Sequence, residues 1–240
     1  MSRQRAQDYD AVLRRLLEVL GDPAVEGAVM DFEPACWNAV RTVRPGVDLR
    51  GCSFHWCQAV MRKVANLGLR TTYMKREGVH CFIKKLLALL FLPATQIEPA
   101  FARTMPLAST PELRQLVEYL DRVWFQSSVW TPANWCVYCQ SVRTNNDVEG
   151  WPRRMNGKAG RANLPFYLLV PLMKKEGEIV NLQMRLVGEN LLARHQTTTY
   201  KRVQGKIFAL WDRLDSGDPD NRLTTSDFLR KVGNINAPRE

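Results

Sequence analysis

Residues 27–54, GAVMDFEPACWNAVRTVRPGVDLRGCSF, decide how this chain is read. Gly27 to Phe32 is short, mostly apolar and ends in acid, which suits a buried strand. Pro34 follows where a helix accepts it, in the first turn, and a helix through Trp37 and Val40 runs to the breaker Pro45-Gly46. Asp48 to Phe54 reads as a second short strand, leading into a helix from about Trp56 that Gly68 can close. Upstream, Leu13, Leu16, Leu17 and Leu20 share one helical face from Tyr9 until Gly21-Asp22-Pro23 stops it. The first third is therefore helix, strand, helix, strand, helix, and the fold class is α/β.

Beyond Gly68 the pattern is almost wholly helical, through Phe82 to Phe91, Ile97 to Met105, and a helix with Thr110 as N-cap, Pro111 at its first position and Glu112 behind it. Trp130 to Cys139 is aromatic and reads as extended. Asn145-Asn146-Asp147 then caps a further helix, and more helices follow Leu164, interrupted by Pro165 and Pro171, before a polar stretch around Ser216 to Asn221. No internal repeat or low-complexity block is present.

The bulk numbers bound the function. A chain of 240 residues with 45% hydrophobic content can bury a sizeable core. Its longest apolar run, Leu86 to Ala94, is far shorter than the ~20 residues a membrane helix needs, so no membrane partner is expected. Met1 to Asp10 is polar and lacks the order of a signal peptide, so export is not expected either. The six cysteines read as thiols or metal ligands in a reducing compartment rather than as disulfides. An excess of 34 Lys and Arg over 24 Asp and Glu, a net +10, favours nucleic acid through counterion release but also occurs in ordinary soluble proteins.

Several side chains could carry chemistry. Asp31 ends a strand and Glu149 lies in a first helical turn; on pattern alone they are a solvated strand-end acid and a carboxylate favoured by the helix dipole. Cys52-x-x-His55 and Cys136-x-x-Cys139 have the ligand types of a tetrahedral zinc site. Positions three apart on a strand face opposite sides, however, and Cys57 is an equally available thiol, so mutual packing is preferred to zinc. Arg153, Arg154, Lys158 and Arg161 could neutralise phosphate, as could Lys174, Lys175, Lys201, Arg202 and Lys206, or they could line a solvated helix face. His80 and His195 carry no motif. Trp124, Trp130 and Trp135 are expected in the core, and Trp151 is the aromatic best placed to stack on a base.

The segments DFEPA from Asp31, GCSFHWCQ from Gly51, LLALLFLP from Leu86 and RTNNDVEGWPRRMN from Arg143 occur in the order and context of the Mutator-like element transposase domain, which this chain resembles from about Tyr9 to Leu192. The resemblance implies a DDE transposase, a ribonuclease-H-like core split by a helical insertion. In that family three carboxylates hold two divalent ions, Mg²⁺ or Mn²⁺, for cutting and joining DNA. Two hard cations about 3.5–4 Å apart activate the attacking oxygen and stabilise the leaving one.

Matched by motif, Asp31 corresponds to the second catalytic aspartate, Glu149 to the glutamate, and Cys52 and His55 to an accompanying Cys-x-x-His element. The implied organisation is a partial core over 1–68, a helical insertion over 69–129, completion of the core with the glutamate helix over 130–195, and a helical tail over 196–240, mostly α overall. Asp31 and Glu149 are expected to share a site, and Cys52 and His55 to face one another.

Two departures count against activity. The family's first aspartate lies on a strand upstream of the opening helix and has no counterpart here, because Asp8 and Asp10 occupy a helix start. Pro152 stands where family members usually carry histidine, and it is expected to kink the helix near Glu149. The expectation is a transposase-derived protein, located in the nucleus by resemblance and inactive as this chain. Two alternatives stay open: a piece of an active transposase whose upstream exons are missing, and a domesticated remnant that binds DNA, a full-length transposase or its own copies.

Overall fold

The computed structural model describes residues 5–75, 77–140, 142–144, 146–160, 163–188 and 198–236. The described chain is mostly helical and carries a small parallel sheet of two strands. It divides into two compact units, residues 1–144 with 203–240, and residues 145–202.

The first unit begins with α1 (Ala6–Leu20), which Gly21 ends in the left-handed conformation at φ 68°, its N–H donating to Glu18 O. A side chain there would meet the left-handed penalty that glycine lacks. β1 (Gly27–Met30) and β2 (Asp48–Gly51) are joined by α2 (Pro34–Val43), with Gly27 opposite Asp48 and Met30 opposite Gly51. α1 packs on α2. α3 (Ser53–Asn66) leaves β2 directly, with Cys52 as its N-cap, and begins earlier than the Trp56 start that periodicity suggests.

The helical expectation after Gly68 is met by α4 (Leu69–Lys75), α5 (Glu77–Ala88), α6 (Ala94–Thr104) and α7 (Pro111–Leu120). Thr110 caps α7 as its sequence signature indicates, its side chain accepting from Leu113 N at 3.3 Å. α7 continues into a wider π-turn, Asp121–Phe125, which places Trp124 in the core.

Trp130 to Cys139 is not extended. Thr131 and Asn134 cap one another across a short helix, α8 (Pro132–Trp135), and Cys139 then takes a positive φ of 55°. The sequence TPAN holds proline and a capping asparagine at helix-start spacing, which overrides the β preference of the flanking aromatics. From α8, Asn134 Nδ2 donates to Leu49 O at 3.0 Å, and beyond it Arg143 O accepts from Ser53 N at 2.9 Å, so α8 and Arg143 hold β2 and the start of α3.

One continuous core joins Trp37 and Trp56 to Leu86 through Leu92, to Leu116 and Leu120, and to Trp211 and Phe228 near the C-terminus. α12 (Thr225–Asn236) packs on α5 so closely that a Cβ built on Gly233 would lie 2.9 Å from Lys84 O. Trp211 Nε1, on α11 (Thr198–Leu214), donates to Phe91 O at 2.7 Å. The compact units divide the chain after Thr144 and Arg202. Trp130, Trp135 and Val137 on one side of the second unit in sequence, and Ile207 and Trp211 on the other, are buried in that same core.

The second unit contains α9 (Asn146–Ala159) and α10 (Phe166–Gly188), which pack together. α9 runs through Pro152.

Candidate active-site cleft at the end of the parallel strands

Parallel registration of β1 with β2 brings the residue after Met30 level with the start of α3. Asp31 leaves the strand there. Its backbone oxygen accepts from Trp37 Nε1 at 2.6 Å, which fixes the turn into α2. Its carboxylate Oδ1 lies 2.8 Å from Nδ1 of His55, the third residue of α3. The Asp31 side chain is 55% exposed and that of His55 20%. An acid at this position also meets the partial positive charge of a helix N-terminus.

A cleft of about 450 Å³ opens over this pair. Tyr9 of α1, Glu33, and Arg62 of α3 line its polar side, and Trp124 and Trp130 its apolar floor. Phe32, next to Asp31, packs edge-on against both indoles, with centroids 4.6 and 5.3 Å apart, and stacks near Trp37 at 6.2 Å. Gly51 makes this possible, because a Cβ there would sit 2.1 Å from the Phe32 ring. Clefts at the carboxyl ends of parallel strands are where α/β sheets bind ligands, since loops and helix N-termini converge there.

Two carboxylates, Asp31 and Glu33, line the cleft together with Arg62 and His55. Burial first, then Glu33 and Asp31, push the Cys36 thiol above its ordinary value, and burial with Glu33 does the same to the Tyr9 phenol. Neither group is activated as a nucleophile, which would require a lowered pKa.

His55 lies on the same strand-to-helix junction as Cys52 and contacts Asp31 through Nδ1. Cys52 is fully buried, and its backbone N–H donates to Met30 O at 2.8 Å. Burial and neighbouring Cys52 push the Cys57 thiol up to about 12. Cys136 is engaged elsewhere, its Sγ donating to Leu92 O at 3.1 Å and accepting from Tyr138 N at 3.4 Å. All six cysteines are free thiols.

Glu149 lies on α9 in the second unit while Asp31 lies in the first, and its side chain is outside those described, as is that of Arg153. Arg161 and His195 fall outside the described residues. Arg154 Nε lies 3.1 Å from Glu176 of α10, and Lys158 Nζ donates to the other oxygen of that carboxylate. Glu176 is only 2% exposed. Lys158 and then Arg154 hold its carboxyl below the usual range against the opposing effect of burial. Both basic side chains therefore have an internal role.

Sequence reasoning missed Arg143, which is 7% exposed. Its guanidinium lies 5.6 Å from the Phe91 ring centroid and donates to Gln204 Oε1 at 3.2 Å, while its backbone oxygen anchors α3. An arginine opening a polar loop gives no sequence signal of burial.

No family model, curated protein or solved structure matches the chain.

Proposed function

We propose that the chain derives from a Mutator-like DDE transposase domain, with an incomplete ribonuclease-H-like core, and that by itself it neither cuts nor joins DNA. The carrying observation is the Asp31–His55 contact at 2.8 Å. It links the carboxylate of one family-like segment to the histidine of the Cys-x-x-His segment at the carboxyl end of a parallel strand. The order α1, β1, α2, β2, α3 with α1 packed on α2 supports the same reading.

Asp31 offers the cleft one carboxylate, and among the described residues no three His, Cys, Asp or Glu side chains are gathered as a ligand group. A two-ion Mg²⁺ or Mn²⁺ site needs several oxygen donors in near-octahedral arrangement, which the described donors do not supply. No reaction step is therefore assigned to a metal. Within this proposal the partner is DNA, a full-length transposase or another copy of the chain, and the location is nuclear.

The test is Mn²⁺ binding, followed by electron paramagnetic resonance, together with nicking of supercoiled plasmid and labelled terminal-repeat DNA. Asp31→Ala, Glu149→Ala and the double variant are compared with the parent. Weak Mn²⁺ affinity that either single change removes, with no further loss in the double, is expected of a shared site. Independent effects of the two changes would sink the transposase assignment. Nicking by the parent that the double variant lacks would show that a further acid completes the site.

A further inference from the structure

A second apolar stripe runs along α3. The helix buries Trp56, Val60 and Val64 in the core, and Phe54, Cys57, Met61 and Ala65 form another line at three- and four-residue spacing. With Arg70 of α4 this line borders a groove of about 560 Å³, and Phe54 is 46% exposed in it. From Phe54 to Ala65 the stripe is about 16 Å long at ~1.5 Å per residue, or three turns of a docked helix.

The charge around the groove has one sign. No Asp or Glu occurs between Asp48 and Glu77, and Arg62 and Arg70 both line the groove. Arg62 is steadied by Gln58, whose Oε1 accepts from its Nη2 at 2.6 Å.

We infer that this α3–α4 groove is a docking site for an amphipathic helix of a partner protein, seated by apolar side chains and flanked by carboxylates that meet Arg62 and Arg70. The apolar floor decides between a protein and a nucleic acid. Phe54, Met61, Cys57 and Ala65 give the groove an adaptable apolar lining suited to a helix face, and its strong donors are confined to Gln58, Arg62 and Arg70. Two arginines set at the rim, rather than buried, contribute selectivity and association rate more than affinity. The groove shares Arg62 with the Asp31 cleft but has its own apolar floor, and the proposal does not rest on the transposase reading.

The probe is a fluorescein-labelled amphipathic peptide of about 18 residues, with leucines three and four apart and glutamates on both flanks. It is titrated against the full chain by fluorescence anisotropy, beside a lysine-flanked version and a scrambled sequence. The expected result is saturable micromolar binding of the acidic peptide, with the lysine version at least tenfold weaker. Met61→Glu should abolish binding, and the Arg62→Glu, Arg70→Glu double variant, both changes lying at exposed rim positions, should reverse the preference toward the lysine peptide. Thermal melts confirm that each variant is folded. No binding of the acidic peptide, equal binding of the scrambled one, or a preference unmoved by the double reversal would overturn the proposal. So would a DNA duplex that displaces the peptide and is itself weakened by Met61→Glu, which would make the groove a nucleic-acid surface.

Discussion

Gly51 shows how one absent methyl group shapes the cleft. The Phe32 ring occupies the place a Cβ would take, and the packing of Trp37, Trp124 and Trp130 depends on that ring. Gly51→Ala should destabilise the protein by about 1–3 kcal/mol through overpacking. A Phe32→Leu change in the Gly51→Ala background should recover part of that loss, a coupling that chemical denaturation of the four variants would read out. Additive effects would mean that the ring moves aside freely. Asp31 itself was legible as a strand-end acid, but its partner was not. Pairing with His55 follows only from the parallel register that sets Met30 against Gly51, and nothing in either short segment specifies that register.

At the level of elements, α9 and α10 are joined by a carboxylate that two basic residues share. Because Glu176 titrates below its ordinary 4.5, its contribution to stability is fully present above the unfolded value and is lost as pH falls through the folded one. Glu176→Gln should therefore lower the melting temperature at pH 7 and have little effect near pH 3, as circular dichroism would show. Reversing Arg154 and Lys158 should weaken DNA binding no more than reversing Lys174 and Lys175, which are exposed on α10. Filter binding at fixed salt decides this, and a much larger loss from the α9 pair would assign those residues to phosphate after all. The start of α7 was readable because Thr110-Pro111-Glu112 combines a cap, a fixed φ and a first-turn acid. α8 was misread as extended because aromatic residues obscured a four-residue capping pattern.

Across the whole molecule, the +10 charge should give any duplex binding a steep salt dependence, with log affinity falling linearly in log salt. A shallow slope in titrations across a range of salt concentrations would remove DNA from the proposed partners. The sequence showed the strands and most helices of the first third because each is bounded by local signals such as Gly21 and Pro45-Gly46. The division into compact units was hidden, because it depends on contacts such as Trp211 with Phe91 that join distant parts of the chain.

The return of α11 and α12 to that core also sets a timetable. Residues Leu86 to Leu92 leave the ribosome well before Trp211, Phe228 and Val232, the side chains that share their core, have been made. Synthesis proceeds at about 5–20 residues per second, so for several seconds this apolar run is covered only by its earlier core partners, such as Trp56, Leu116 and Leu120. During that interval the exposed part of the run makes the nascent chain prone to aggregate. A version stopped after Thr198 should emerge with the α11 and α12 side of the run uncovered and collect in the insoluble fraction, while a chain that includes both helices packs α12 onto α5 and stays in the supernatant.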